Sequence, residues 1–309
     1  MGQLVNGEWR DGWVDTSKSG GRFVRQDSAF RGRVGDPGFE PEAGRYHLYV
    51  SMACPWAHRV LIMRVLKGLE DTISVTAVEP LMLDEGWTIA EGDDPLFGAR
   101  RLYEIYRRAK PDFTGRVTVP VLWDRKTSTI VNNESAELIR ILDGWHGAPE
   151  YYPEQHRGEI DAVNERIYND VNNGVYKCGF ATSQDAYEEA YGKLFDTLDW
   201  LEDRLSRRRW LVGDRITEAD WRLFTTLVRF DPVYHGHFKC NARKLAEYPN
   251  LWNYMLDLYG QPGVAATVDL ATIKQHYYGS HRTINPTGII PAGPLYDLER
   301  PHDRGRFAT

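Results

Sequence analysis

The stretch Tyr46-His47-Leu48-Tyr49-Val50-Ser51-Met52-Ala53-Cys54-Pro55-Trp56, continued by an apolar run from Ala57 to Leu66, decides how this chain folds. Its opening residues are β-prone and its closing ones helical, with only a short turn between them, so the expected unit is strand, turn, helix. Lys67-Gly68 ends the helix. Pro55 suits the first helical position, where its missing N–H costs nothing. Cys54 therefore stands on the cap side. A thiolate there accepts otherwise unpaired backbone N–H groups and feels the positive end of the helix dipole. The dipole is worth roughly 0.3 to 2 kcal/mol, about one pKa unit, so larger depressions of such cysteines come from direct hydrogen bonds. A small buried core residue is the commoner fate of cysteine, and that reading is kept for Cys178 and Cys240. Cys54 is read as a nucleophile. No second cysteine lies in Cys54-Pro55-Trp56-Ala57, so a disulfide formed there resolves with an external thiol.

Downstream, Ile73 to Val78 reads as a second strand and Ala99 to Ala109 as a helix. Val117 to Trp123 and Thr129 to Val131 are strands joined by a loop short enough to force a hairpin, and a helix follows from Ser135 to Leu142. The order mixes parallel and antiparallel pairing, which predicts a four-stranded mixed α/β sheet. Pro120 cannot donate to a central ladder, so it belongs at a strand start, with a cis bond a natural choice. Asn132-Asn133-Glu134-Ser135, entering a helix from a strand, offers N–H groups and a hydroxyl to a carboxylate and an acid to an ammonium.

After Gly147-Ala148-Pro149 the strand signals stop. Ile160, Val163, Ile167 and Val171 form one helical stripe, and Tyr187, Tyr191, Leu194, Leu198, Leu201 and Leu205 another. Thr217 reads as an N-cap with Asp220 closing a capping box. Helices are expected over Asn241 to Tyr259 and Val268 to Tyr278. The predicted organisation is an irregular arm at 1–43, pinned by Trp9, Trp13, Phe23 and Phe30, an α/β domain at 44–147, an all-helical domain at 148–284 and an irregular tail at 285–309.

Composition narrows the partners. The 309 residues exceed what one core usually serves. A balance of 38 Lys+Arg against 44 Asp+Glu gives a net charge of −6, and no long basic run appears, which argues against nucleic acid. No stretch approaches the roughly 18 to 20 apolar residues of a membrane span, and the first twenty carry no apolar signal core, so the cytoplasm is expected. An odd count of 3 cysteines argues for reduced thiols. His235-Gly236-His237 with Cys240 is too loose a pattern to assign a metal.

The blocks Ala53-Cys54-Pro55-Trp56-Ala57-His58-Arg59, Gly86-Trp87, Gly115-Arg116-Val117-Thr118-Val119-Pro120, Asn132-Asn133-Glu134-Ser135, Asn172-Asn173-Gly174-Val175-Tyr176-Lys177, Gly236-His237-Phe238-Lys239-Cys240-Asn241 and Tyr277-Tyr278-Gly279-Ser280-His281, in this order, resemble the glutathionyl-hydroquinone reductases, the Xi class of glutathione transferases. The match runs from about Gly44 to Pro291. Cys178 departs from it, standing where a small alanine-like residue is expected.

The resemblance implies a glutathione transferase fold: a thioredoxin-like glutathione-binding domain followed by an all-helical bundle. It implies a cis Pro120 that orients the glutathione backbone and Trp87 stacked on glutathione. Arg116 and Val117 would hold its peptide and glycyl parts, Glu134 and Ser135 its γ-glutamyl end, and Tyr176 and Tyr277 would face the aromatic substrate. A homodimer is implied as well. Glutathione has two carboxylates and one ammonium, so Ser135 at a helix start, Arg116 and Glu134 supply one partner each. The implied reaction takes glutathione off a glutathionyl-hydroquinone through Cys54, with glutathione as co-substrate and no metal. Two alternatives are an omega-like thiol transferase or dehydroascorbate reductase, and a non-catalytic interaction module of the same fold.

Overall fold

β-Propensity makes Tyr46–Val50 a strand, and it lies inside a sheet whose other strands all follow it in sequence. The computed structural model describes residues 2–145, 147 and 149–307, and the chain divides into two units. The first holds Met1–Val14, Arg25–Ala148 and Ala271–Ser280; the second holds Asp15–Val24, Pro149–Leu270 and His281–Thr309. The N-terminal arm is thus shared between the units. Ala148, at the expected domain boundary, lies outside the described residues.

In the first unit the strands are β1 (Gln3–Val5), β2 (Glu8–Arg10), β3 (Tyr46–Val50), β4 (Ser74–Ala77), β5 (Met82–Leu83), β6 (Gly86–Trp87), β7 (Gly115–Arg116), β8 (Val121–Asp124) and β9 (Thr129–Asn132). Helices α1 (Pro55–Leu66), α2 (Leu102–Ala109) and α3 (Ser135–Asp143) complete it, with α1 packed on α3. The principal sheet runs β4-β3-β8-β9. β3 is parallel to β4 and antiparallel to β8, and β8 is antiparallel to β9. That is the mixed four-stranded sheet expected.

The arm is not irregular throughout. β1 and β2 form a hairpin around Asn6-Gly7, both with positive φ, and β1 adds β7 to make a second sheet. Such a turn needs left-handed residues, which Asn and Gly supply at little cost. Trp9 stacks on Tyr103 at 5.0 Å and Phe30 on Phe113 at 5.5 Å, as the pinning role requires. Two further boundaries differ. The strand expected from Val117 begins only at Val121, because Pro120 cannot join the ladder. The helix expected from Ala99 begins at Leu102, because Arg101 is still extended and bridges Thr88.

The second unit is helical: α4 (Arg157–Ile167), a π-helical turn at Tyr168–Asn172, α5 (Gly174–Gly179), α6 (Gln184–Arg207), α7 (Glu218–Arg229), a π-helical turn at Phe230–Tyr234, α8 (His235–His237) and α9 (Pro249–Tyr259). The last helix, α10 (Leu270–Ser280), belongs from Ala271 to the first unit. α7 is buried along its whole length and starts from the expected capping box. Asp220 there accepts from Thr217 N at 2.8 Å, Leu211 N at 2.9 Å and the Tyr254 hydroxyl at 2.7 Å. The helix expected from Asn241 starts at Pro249 instead, since Asp231 diverts Leu245 and Ala246 into a separate short turn. The tail is anchored at several points, among them Tyr296, whose hydroxyl donates to Asp231 at 2.8 Å, and the buried Arg304, which donates to the carbonyls of Leu205 at 2.8 Å and Arg209 at 2.8 Å around the end of α6.

His47, fully buried in β3, lies between Ser74 Oγ at 2.7 Å and Thr76 Oγ1 at 3.0 Å. Burial, helped by the Arg125 charge, pushes its pKa down to about 4. The folded state then binds a proton less readily than the unfolded chain, so this contribution is complete above the unfolded pKa near 6.5 and is lost as pH falls toward 4. Urea unfolding should show wild type losing about 2 kcal/mol more than His47→Gln between pH 7.5 and pH 5.

Candidate active site

Cys54 is built by the handover from β3 to α1. Its N–H closes a turn onto Ser51 O at 3.1 Å, and its backbone, extended at φ −77 and ψ 122, caps α1 by accepting from His58 N at 2.9 Å. Pro55 takes the first helical position as expected. The half-buried Sγ lies 3.8 Å from the carbonyl oxygen of Val119, turned there instead of capping the helix, and the Val119–Pro120 bond is cis. A thiol can donate to that oxygen; a thiolate cannot, and would be drawn to the N–H groups of the first turn of α1. The guanidiniums of Arg25 and Arg59 each lie 4.7 Å from the centre of the Trp56 ring, two residues beyond the sulfur in sequence. Arg25 is a member of this neighbourhood that sequence reading missed, because nothing local links the arm to α1.

Tyr106 is another. Its buried hydroxyl donates to Thr118 O at 2.8 Å and accepts from Thr118 N at 3.2 Å and Asn133 Nδ2 at 3.1 Å. Burial pushes its pKa up, so it stays a neutral donor. One phenol thereby ties the loop entering Pro120 to the turn entering α3. The only hint in the sequence is an apolar-face tyrosine on α2, and its partners are distant along the chain.

Arg116 sits half-buried in β7 opposite Gln3 of β1, and burial lowers its pKa without removing its charge. Val117, next to it, is buried. Glu134 is the N-cap of α3: Oε1 accepts from Ala136 N at 3.0 Å and Oε2 from Ser28 Oγ at 3.0 Å. A carboxylate so held retains acceptor capacity for a cation. Ser135 opens the helix and is buried.

Trp87 is buried and its ring stacks on His276 of α10 at 4.9 Å, with Tyr277 edge-on to the same imidazole at 5.1 Å. Cys54, Trp87, Arg116, Val117, Pro120, Glu134, Ser135 and Tyr277 therefore all belong to the first unit. Tyr176 belongs to the second, where it packs among Phe238 at 5.5 Å, Phe180 at 5.8 Å and Tyr234 at 6.1 Å. Cys178 and Cys240 are buried beside that cluster, and burial pushes the Cys240 thiol well up. His237 Nε2 meets His281 Nδ1 at 3.1 Å.

Residues 53–144 match the glutathione S-transferase N-terminal domain and residues 184–256 the C-terminal domain of the same name. The chain is 57% identical to the glutathionyl-hydroquinone reductase PcpF of Sphingobium chlorophenolicum, with 96% of this chain and 98% of that protein covered. The chain belongs to the glutathione S-transferase family. Among solved structures, this transferase is similar to a glutathione-bound YqjG of Escherichia coli K-12, at 50% identity and a TM-score of 0.88 over 98% of this chain and 99% of that one. It is similar to a Xi-class transferase of Natrialba magadii at 47% identity and a TM-score of 0.91, over 100% and 98% of the two chains. The Xi class is thus its place within the family.

For this transferase, Tyr106→Phe should leave Thr118 and Asn133 without their shared partner. The expected cost is about 2 kcal/mol of stability, read as a lower urea midpoint, with weaker binding of glutathione by calorimetry.

Proposed function

We propose that the chain is a glutathione-dependent reductase that removes glutathione from glutathionyl-hydroquinones, chlorinated or not, through a mixed disulfide at Cys54. The observation that carries the reading is a single sulfur at the start of α1, 3.8 Å from the carbonyl that precedes cis Pro120, in a chain most of whose length resembles named reductases of this kind. A serine or tyrosine at that position would polarise the thiol of glutathione for conjugation. A cysteine favours thiol exchange instead.

In the first step the Cys54 thiolate attacks the glutathione sulfur. The S–S bond forms as the aryl C–S bond breaks, and the bonding pair leaves with the ring. An aryl carbanion is a poor leaving group, so the ring departs as the enolate of its keto tautomer and becomes the hydroquinone. Tyr176 and Tyr277 are assigned to the ring oxygens, where a hydroxyl stabilises developing charge and delivers a proton. In the second step the thiolate of another glutathione attacks the mixed disulfide, releasing oxidised glutathione and the Cys54 thiolate. The ring carbon gains the two electrons that the two glutathione sulfurs lose.

Glutathione itself is assigned to the segments around Cys54. Trp87 stacks on it, Pro120 orients its backbone, and Arg116 with Val117 holds the peptide and glycyl carboxylate. Glu134 and Ser135 take the γ-glutamyl ammonium and carboxylate. A cytoplasmic homodimer is the assembly this reading expects.

Wild type and Cys54→Ser, each given glutathionyl-hydroquinone and glutathione, should differ by about a thousandfold or more in hydroquinone release. Mass spectrometry of enzyme stalled without free glutathione should find one glutathione on Cys54 and none on Cys178 or Cys240. Equal release by the serine variant would overturn the thiolate mechanism. Faster turnover of dehydroascorbate than of the conjugate would move the reading to an omega-like thiol transferase.

A further inference from the structure

The hairpin that carries Trp87 is too small to hold itself. β5 and β6 are two residues each, with Met82 opposite Trp87 and Leu83 opposite Gly86, whereas an isolated hairpin in water is marginal even at ordinary strand lengths. Its shape comes from two elements distant in sequence. Along α10, the His276 imidazole stacks on the Trp87 ring with an interplanar angle of 21°. Its Nδ1 lies 2.9 Å from Pro80 O, and a carbonyl only accepts, so Nδ1 carries the proton and the ring plane is set. One turn on, Ser280 Oγ accepts from Met82 N at 3.0 Å. Between them Leu81 Cδ2 sits where a side chain at Gly279 would begin, 2.6 Å from an ideal Cβ. Pro80, Leu81 and Met82 are each seated on this one helix.

The second support is Trp9 of β2. Its Nε1 donates to Asp84 O at 2.8 Å, in the turn of the same hairpin. Its ring lies against the backbone of Gly86, where a Cβ would come within 2.6 Å of the indole and where φ is 71, so glycine is required twice over. The far end of the contact is closed by Tyr103, parallel within 22°. The hairpin thus has two props on β6, His276 at Trp87 and Trp9 at Gly86, while Ser280 holds β5 at Met82.

We propose that Trp9 and His276 are positioning residues for Trp87, and through it for the glutathionyl group. The proposal rests on the assignment of Trp87 to glutathione. The probe is S-methylglutathione, which cannot exchange with Cys54, titrated calorimetrically into full-length wild type, Trp9→Ala, His276→Ala, His276→Phe and Trp87→Ala. Trp9→Ala and His276→Ala should each raise Kd about tenfold, with kcat at saturating conjugate changed by less than about twofold. His276→Phe keeps a ring against the indole and should return Kd to within about threefold of wild type. A purely structural role would lower the binding stoichiometry and leave Kd alone, which would overturn the proposal. So would unchanged Kd in both alanine variants beside a weakened Trp87→Ala. If Trp87→Ala itself binds like wild type, the assignment of Trp87 fails first and the proposal falls with it.

Discussion

The antiparallel register of β3 against β8 is the constraint on which the site depends. Tyr49 lies opposite Val121, so the end of β3 is beside the beginning of β8. The turn that follows one strand therefore meets the peptide that precedes the other, and Cys54 comes to the Val119–Pro120 bond. A slip of one residue would turn every side chain of β3 to the opposite face and separate the two. The buried pairing of Arg45 with Asp124, whose Nε to Oδ1 distance is 2.8 Å, reinforces that register at the far end of the strand pair. With its partner removed, either charge would be left buried and uncompensated, so the pair favours one alignment over its neighbours.

Around that junction, the segments assigned to glutathione have little internal structure. Gly86–Trp87 and Gly115–Arg116 are two-residue strands, and Glu134 and Ser135 stand at a helix entrance. Few of their backbone groups are satisfied within a long ladder, so their conformations are imposed from outside. β1 pairs with Arg116, Tyr106 ties Thr118 to Asn133, Ser28 holds Glu134, and Trp9 and α10 hold the hairpin. The N-terminal segment contributes three of these five contacts, those of β1, Trp9 and Ser28. It is a working part of the first unit and not an appendage to it.

The sulfur has two preferred surroundings according to its charge. As a thiol it donates toward the Val119 carbonyl; as a thiolate it is repelled from that oxygen and attracted to the start of α1 and to the positive charges stacked over Trp56. Cys240 has no such choice, since burial disfavours its charged form.

Local chemistry was enough to read the strand, turn and helix about Cys54, the mixed sheet, the helical half and the capping box at Thr217, because periodicity, proline placement and cap preference act over a few residues. The family blocks name the candidate site residues for the same reason, each being a short run of neighbouring residues. Tertiary structure alone revealed that the arm forms a hairpin, that Arg25 joins the Trp56 neighbourhood, that Tyr106 bridges two loops, and that His276 and Trp9 bracket the Trp87 hairpin. Each of these is a contact between residues many positions apart, whose worth depends on burial and on the exact partner presented. Neither quantity is written in the composition of the segments that meet.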